Sequence, residues 1–169
     1  MKEILPGIYQ ITVPLPGFYP DTVNSYLLKS GNGYFLIDTP WDTPVCVRSF
    51  EEQLQQGDIS FSDIKNIIIT HGHTDHLGML SRLKSEYDIK VFMHKADLEF
   101  LRSEFMGSES FISETDEYLS QHGVPKEALP LPEVNLPSSG NLKSIECDNP
   151  LQGGDEISGT SWLLRVIDT

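Results

Sequence analysis

The chain is poor in cysteine. Its two cysteines, Cys46 and Cys147, stand far apart in a sequence of 169 residues. They form neither a CxxC zinc pattern nor a disulfide framework. We therefore expect buried or idle thiols, and no metal site built on sulfur.

Positive charge is also scarce. Twelve lysines and arginines face 25 acidic residues, which gives a net charge of −13. Proteins that bind nucleic acid need basic patches against the phosphate backbone, so the composition argues against such a partner. The acidic residues are scattered along the chain, which is typical of a solvated surface.

Long apolar runs are missing as well. No stretch approaches the ~20 apolar residues that a membrane-spanning helix requires. The opening residues 1–6 (MKEILP) lack signal-peptide architecture. These features predict a cytoplasmic protein with no membrane partner, and the length suits one domain with a sizeable core.

Short apolar segments alternate with helical patterns through the first two thirds of the chain. Strand, helix, strand, helix and strand in this order predict parallel pairing through crossovers, and hence an α/β (α+β) fold. Thr43 and Pro44 have the types expected at a helix N-terminus. The predicted strands are Ile4–Val13 (bent), Asn24–Lys29, Tyr34–Asp38, Asp63–Thr70 and Lys90–His94, and strand character returns over 145–167. Two predicted helices begin at Pro44 and at Leu77, and two more span Lys95–Phe105 and Ser113–His122.

The densest functional signal is residues 71–76, which read HGHTDH and directly follow the apolar run 66–70. Imidazole and carboxylate groups suit zinc, iron and manganese. A short β-branched run indicates a buried parallel strand, and ligands bind beyond the carboxyl ends of such strands. The motif therefore predicts a metal site at that edge of the sheet.

The spacing suggests how the ligands divide. His71 and His73 flank a single residue, so both rings can face one metal. Asp75 and His76 can face a second metal roughly 3.5–4 Å away. A lone histidine would favour a solvated or capping role, but three histidines with an aspartate favour ligation.

This HxHxDH pattern, followed by Leu77 and Gly78, resembles the metallo-β-lactamase superfamily, including its glyoxalase II-like hydrolases. Residues 34–39 and 157–169 are similar to other parts of the family. The resemblance implies the N-terminal portion of an αββα sandwich and a metal-dependent hydrolase. Metal-bound hydroxide would attack an ester, thioester or lactone-like small molecule, with Asp75 as the catalytic carboxylate that orients it. Asp38 would accept a hydrogen bond from a ligand imidazole or from a backbone group of the site; the alternative is an aspartate that only shapes a turn.

The chain departs from the family pattern in one respect. The family completes its first metal site with a histidine in a later loop, and here only His94 and His122 lie outside the motif. We therefore expect a single incomplete domain over 1–169, with a helical insertion at about 95–123, cut from a longer hydrolase. Such a chain would bind zinc (or iron or manganese) partially or not at all at the two sites of its parent, and would hydrolyse substrate poorly or not at all. Its uncovered sheet face would favour a homo-oligomer.

Two alternatives remain. An iron-bearing relative could be an oxidoreductase or a sulfur dioxygenase, and an incomplete site could belong to a non-catalytic binding module.

Phe18 and Tyr19 could form a flap over a substrate or merely anchor their own loop. His94 could approach the site, although a supporting or surface position is the preferred interpretation.

Overall fold

The structure is a computed structural model that describes residues 1–17, 20–31, 33–102, 109–125 and 145–168. The strands are Lys2–Leu5 (β1), Ile8–Pro14 (β2), Thr22–Ser30 (β3), Gly33–Ile37 (β4), Ile64–Ile69 (β5), Lys90–His94 (β6), Asn149–Leu151 (β7), Glu156–Ser158 (β8) and Leu163–Arg165 (β9). The helices are Pro44–Gln55 (α1), Thr74–Leu77 (α2), Leu80–Glu86 (α3), Lys95–Arg102 (α4) and Glu109–Gln121 (α5), with a 3-10 turn at Phe61–Asp63.

Strands β1 to β7 form one sheet in chain order. β1 to β4 pair antiparallel, and β4 to β7 pair parallel through the helical crossovers. A separate antiparallel hairpin is formed by β8 and β9. The predicted α/β class and the parallel order of the middle strands are confirmed.

Side chains of the central strands alternate between two faces of the sheet, as strand geometry requires. On one face Leu36, Ile67 and Val91 are fully buried beneath the helices in the main core. On the other face Phe35 and Ile68 belong to a smaller cluster that the β8–β9 hairpin covers. The sheet is therefore apolar on both faces at its centre.

The start of α1 follows the prediction. Thr43 caps the helix by accepting a hydrogen bond from the Cys46 amide at 3.3 Å, and Pro44 occupies the first position, where its missing N–H costs nothing. Val47, Phe50 and Leu54 are buried on one face. Helical spacing of apolar residues and the capping signal thus agree.

Three sequence-based boundaries are wrong. The opening segment is two strands and not one bent strand, because Gly7 adopts φ +76° and turns the chain back so that Lys2 pairs with Gln10. The helix expected from Leu77 to Glu86 is two helices, because α2 already ends at Leu77 and α3 begins at Leu80; His73 is extended at the N-cap of α2. α5 begins at Glu109, ahead of the expected Ser113.

Two expectations fall outside the described residues: the Phe18–Tyr19 flap and residues 103–105 at the end of the expected helix. Among the residues that the structure describes, no helix is both long enough and apolar enough to cross a bilayer.

Candidate metal centre

The motif lies where two neighbouring parallel strands end. β4 ends at Ile37 and β5 ends at Ile69, so Asp38 and Thr70 follow at the same edge of the sheet. The Asp38 amide donates to the carbonyl of Ile68 at 2.9 Å and extends the pairing by one residue. This register brings the carboxylate of Asp38 beside the start of the motif.

Asp38 accepts three hydrogen bonds. Its Oδ1 accepts from the Thr70 amide at 2.8 Å, and its Oδ2 accepts from Thr70 Oγ1 at 2.7 Å and from His76 Nδ1 at 2.8 Å. The residue is only 5% exposed. A buried carboxylate needs such donors to compensate for its lost hydration.

These bonds fix the protons of two imidazoles. The single hydroxyl proton of Thr70 goes to Asp38, so Thr70 Oγ1 accepts from His71 Nδ1, 2.9 Å away. His76 likewise donates from Nδ1 to Asp38. In the neutral form of both rings, Nε2 carries the lone pair that a metal would use, which is how carboxylates orient ligand histidines in metalloproteins.

The two histidines differ in charge preference. The hydrogen bond to Asp38 raises the pKa of His76 against the opposing effect of burial. Burial lowers the pKa of His71, and the neighbouring rings of His76 and His73 lower it further. Neutral imidazole is the form that ligates metals, so His71 is held in the binding form at neutral pH.

Asp75 and His76 share a geometry that suits a common cation. Asp75 Oδ2 lies 3.5 Å from His76 Nε2. Ligand atoms 2.0–2.1 Å from a tetrahedral zinc are about 3.4 Å apart. The exposed fractions of the two side chains are 32% and 23%, so a cation could reach them.

The remaining ring lies close by. The ring centroids of His71 and His73 are 4.6 Å apart, and those of His71 and His76 are 4.2 Å apart. His73 is exposed at the N-cap of α2. All three imidazoles of the motif therefore lie close together.

The donor chemistry fits a metal. Within the described residues, ligand atoms of Asp38, His71 and His76 all lie within 4.8 Å of one another. Both oxygens of Asp38 already accept hydrogen bonds, which favours the interpretation of Asp38 as the residue that holds His76 over a role as a ligand. His73 and Asp75, two of the predicted ligands, do not belong to this group.

Cavities open on two sides of the motif. One of about 470 Å³ is lined by Asp75, His76 and Trp41. The other, about 1010 Å³, is largely apolar and is lined by His71 and His94. His94 therefore faces the same space as the motif but does not join the candidate ligand set.

Sequence reasoning did not identify two residues of the site, Thr70 and Asp97. Thr70 relays between Asp38 and His71, and the Asp97 carboxylate accepts a hydrogen bond from the Gly72 amide at 2.9 Å. Thr70 directly precedes the motif, and Asp97 follows the end of β6 by three residues. Both stand at the same sheet edge, which was the available signal.

Residues 18–169 match the sequence profile of the family described as "Metallo-beta-lactamase superfamily". The chain belongs to the metallo-β-lactamase superfamily. The match spans the motif, the helices that follow it and the β8–β9 hairpin. It places the HxHxDH cluster in a superfamily of metal-dependent proteins.

Curated proteins similar to this chain carry hydrolase names. The chain is 27% identical over 136 residues to "Probable metallo-hydrolase YybB" of Bacillus subtilis (strain 168), covering 80% of this chain and 56% of that protein. It is 31% identical over 103 residues to "Thioesterase pkgB" of Emericella nidulans, covering 57% of this chain and 29% of that protein. The chain thus spans about half of the first relative's length.

Solved structures give the same fold. The metallo-beta-lactamase family protein TTHA1429 of Thermus thermophilus matches with a TM-score of 0.70 at 27% identity, covering 98% of this chain and 52% of that one. BJP-1, a subclass B3 metallo-beta-lactamase of Bradyrhizobium japonicum, matches with a TM-score of 0.62 at 18% identity, covering 95% and 48%. The second likeness concerns the fold alone.

Proposed function

We propose that this chain contributes metal ligands to a metal-dependent hydrolase that cleaves an ester, thioester or lactone-like carbonyl compound. The observation that carries the proposal is the hydrogen-bond network around Asp38. It fixes the Nδ1 protons of His71 and His76 and leaves both Nε2 atoms available as ligands. A solvated histidine cluster would not need a buried carboxylate to orient it.

Ligand roles follow from the grouping of the side chains. His71 and His73 would hold one metal, and Asp75 and His76 a second. We propose zinc, with iron or manganese as the alternatives, because imidazole and carboxylate donors suit all three. When bound, such a cation acts as a Lewis acid and lowers the pKa of a coordinated water.

The protein's own groups then have distinct tasks. Asp75 would orient the attacking water, because its side chain lines the 470 Å³ cavity that could receive a substrate carbonyl. Asp38 and Thr70 would keep His76 and His71 in place during the reaction. The apolar walls beside His71 would limit access of bulk water.

Names of relatives support the substrate class. A thioesterase and a metallo-hydrolase are among the proteins similar to this chain. Hydrolysis of a thioester adds water to an activated carbonyl, so the same arrangement of ligands could also serve an ester or a lactone.

The proposal is tested by metal-dependent hydrolysis. The purified chain is loaded with Zn²⁺, Fe²⁺ or Mn²⁺, and its bound metal is quantified. An aryl ester, an acyl thioester and a simple lactone are then offered. We expect slow hydrolysis that the metal stimulates and a chelator abolishes, and that His73→Ala loses.

The matched control is His122→Ala. The His122 ring stacks on Tyr118 at the end of α5, and its Nδ1 lies 2.8 Å from the Tyr118 carbonyl, away from the motif. This variant should keep the stimulated rate. Hydrolysis that none of the three metals stimulates, or stimulated hydrolysis that His73→Ala retains, would refute the hydrolase proposal.

A further inference from the structure

A carboxylate on helix α4, that of Asp97, contacts the loop of the metal motif. Asp97 lies in the first turn of α4, and its Oδ1 accepts a hydrogen bond from the backbone amide of Gly72 at 2.9 Å. Gly72 is the single residue between His71 and His73. The bond therefore anchors the peptide that sets the relative position of two proposed ligands.

Asp97 itself is firmly placed. β6 runs directly into α4, and His94 caps the junction because its Nδ1 accepts from the Ala96 amide at 3.2 Å. Leu98 and Leu101 are 5% and 3% exposed and fix the helix to the core. A packed helix holds a side chain more precisely than a loop does.

The approach at Gly72 is close. A Cβ built on Gly72 would lie 3.4 Å from Asp97 Oδ1 and 3.5 Å from Leu101. The loop thus lies directly against α4, and the carboxylate meets the amide in a partly buried contact. A charge-assisted hydrogen bond in such a place is stronger than one in open solvent.

We propose that Asp97 is a positioning residue of the metal centre. By holding the Gly72 amide, it fixes the distance and angle between the imidazoles of His71 and His73 before a metal binds. The inference rests on the proposed function, since it assigns those two histidines to one metal. Loss of hydrogen-bond partners around ligands typically costs ~10–100-fold in metal affinity, and an anchor acting through the backbone belongs at the lower end.

Two simpler roles for Asp97 give different results. The bond could only stabilise the fold, in which case metal affinity would not change. Alternatively, the negative charge of Asp97 could attract a cation from a distance. Asp97→Asn separates the charge from the bond, because the amide oxygen still accepts from Gly72, whereas Asp97→Ala removes both.

The test uses Co²⁺ as the probe. Its affinity is measured by competition with a chromophoric chelator, and its visible spectrum reports ligand geometry. We expect Asp97→Ala to weaken Co²⁺ binding about tenfold and to alter the spectrum. Asp97→Asn should stay within about threefold of the original affinity, because it retains an acceptor for the Gly72 amide.

Asp155 provides the matched control. Its Oδ2 accepts from the Gln152 amide at 2.9 Å, which is the same kind of bond in an exposed turn before β8. Asp155→Ala should leave Co²⁺ affinity and spectrum unchanged. Unchanged binding by Asp97→Ala, or an equal loss in both Asp97 variants, would overturn the positioning role.

If Asp97→Ala does not fold, a measurement on the unsubstituted chain still tests the proposal. Hydrogen exchange of the Gly72 amide, followed by NMR without metal, should show protection that weakens in Asp97→Asn. Exchange as fast as in an open loop would overturn the proposal. Failure of the unsubstituted chain to bind Co²⁺ would instead overturn the proposed function together with this inference.

Discussion

At the scale of single residues, Asp38 both connects segments of the fold and orients a proposed metal ligand. It follows β4, accepts from Thr70 after β5 and holds His76 in α2. It also adopts φ +59°, a conformation in which aspartate and asparagine are tolerated better than most side chains. One buried carboxylate therefore links three segments, and its removal should affect both stability and metal binding.

We predict that Asp38→Ala destabilises the metal-free chain by about 1–3 kcal/mol, because the amide of Thr70 and Nδ1 of His76 lose their acceptor. It should also weaken metal binding, since His76 is no longer held. Urea unfolding and metal titration measure the two effects. Asp38→Asn, which suits the positive φ and keeps one acceptor, should lose less of both. Equal effects of the two variants would contradict this account.

Much of the candidate site could be predicted from the sequence. The HGHTDH run, its place after a buried strand and the supporting role of Asp38 all rest on local patterns and on the family resemblance. The contact between Asp97 and Gly72 could not be predicted, because it depends on how α4 packs beside the loop 25 residues earlier. Long-range hydrogen bonds of this kind leave no periodic signal in sequence.

At the scale of elements, the loop after β4 packs against the start of the helical region. The Thr39 amide donates to the His76 carbonyl at 2.7 Å, and the Met79 amide donates to the Pro40 carbonyl at 2.9 Å. Gly78 lies between these bonds with an ordinary helical φ of −58°. The close approach, and not backbone conformation, explains the glycine.

Gly78→Ala should therefore clash. The new Cβ would lie 2.5 Å from Trp41 Cα and 2.7 Å from the Pro40 carbonyl oxygen, and backbone atoms cannot move aside cheaply. We expect a loss of about 1–3 kcal/mol in unfolding free energy, together with weaker metal binding. In the control Gly57→Ala, the nearest contact is the flexible end of Met1, at 2.5 Å, so the cost should be small. Calorimetry that ranks the two variants equally would disprove the packing argument.

A second link between elements should be visible in acid. Asp148 accepts from Lys84 Nζ at 2.6 Å and from the Val91 amide at 2.8 Å, and so connects α3 and β6 to the start of β7. The Lys84 bond, with help from the Val91 amide, lowers the pKa of Asp148 in the folded chain. Its stabilising effect is present above the unfolded pKa of about 3.9 and is lost as the pH falls through the lower folded value.

We predict that Asp148→Asn flattens the loss of stability between about pH 4 and the onset of acid unfolding, relative to the original chain. Urea midpoints measured at pH 6, 4 and 3 provide the test. Asp155→Asn removes an acidic group of the same type that lies outside this link and serves as control. An unaltered pH dependence in Asp148→Asn would show that the link contributes nothing to acid stability.

At the scale of the whole molecule, the sequence predicted the parallel strands at the centre of the sheet better than the β8–β9 hairpin that covers one of its faces. Continuous apolar runs marked β4 to β6, whereas β8 and β9 are three residues each and their docking depends on distant partners. Trp162 makes that docking specific: its Nε1 donates to the Lys29 carbonyl at 2.8 Å, and its ring meets Phe35 edge-on at 4.9 Å. The hairpin therefore covers part of the face that we expected to be open.

The expected self-association stays a prediction, and Trp162 offers a way to test it. Apolar side chains remain exposed at β1 and beside the hairpin, including Leu5 at 60% and Ile167 at 76%. Exposed apolar patches and an open edge strand favour association, and salt screens the opposing negative charge beyond ~8 Å. We expect sedimentation to show concentration-dependent oligomers of the original chain.

Trp162→Ala should increase association, because a loosened hairpin uncovers Phe35 and its neighbours in the smaller apolar cluster. It should also cost about 2–4 kcal/mol of stability, somewhat less than a fully buried tryptophan, because Trp162 is only partly buried. Trp162→Phe keeps an aromatic ring against Phe35 but cannot donate to Lys29. Its stability and its degree of association should therefore lie between those of the original chain and those of Trp162→Ala. A Trp162→Ala chain that sediments as a monomer with unchanged stability would mean that the hairpin does not protect this face, and that another part of the protein does.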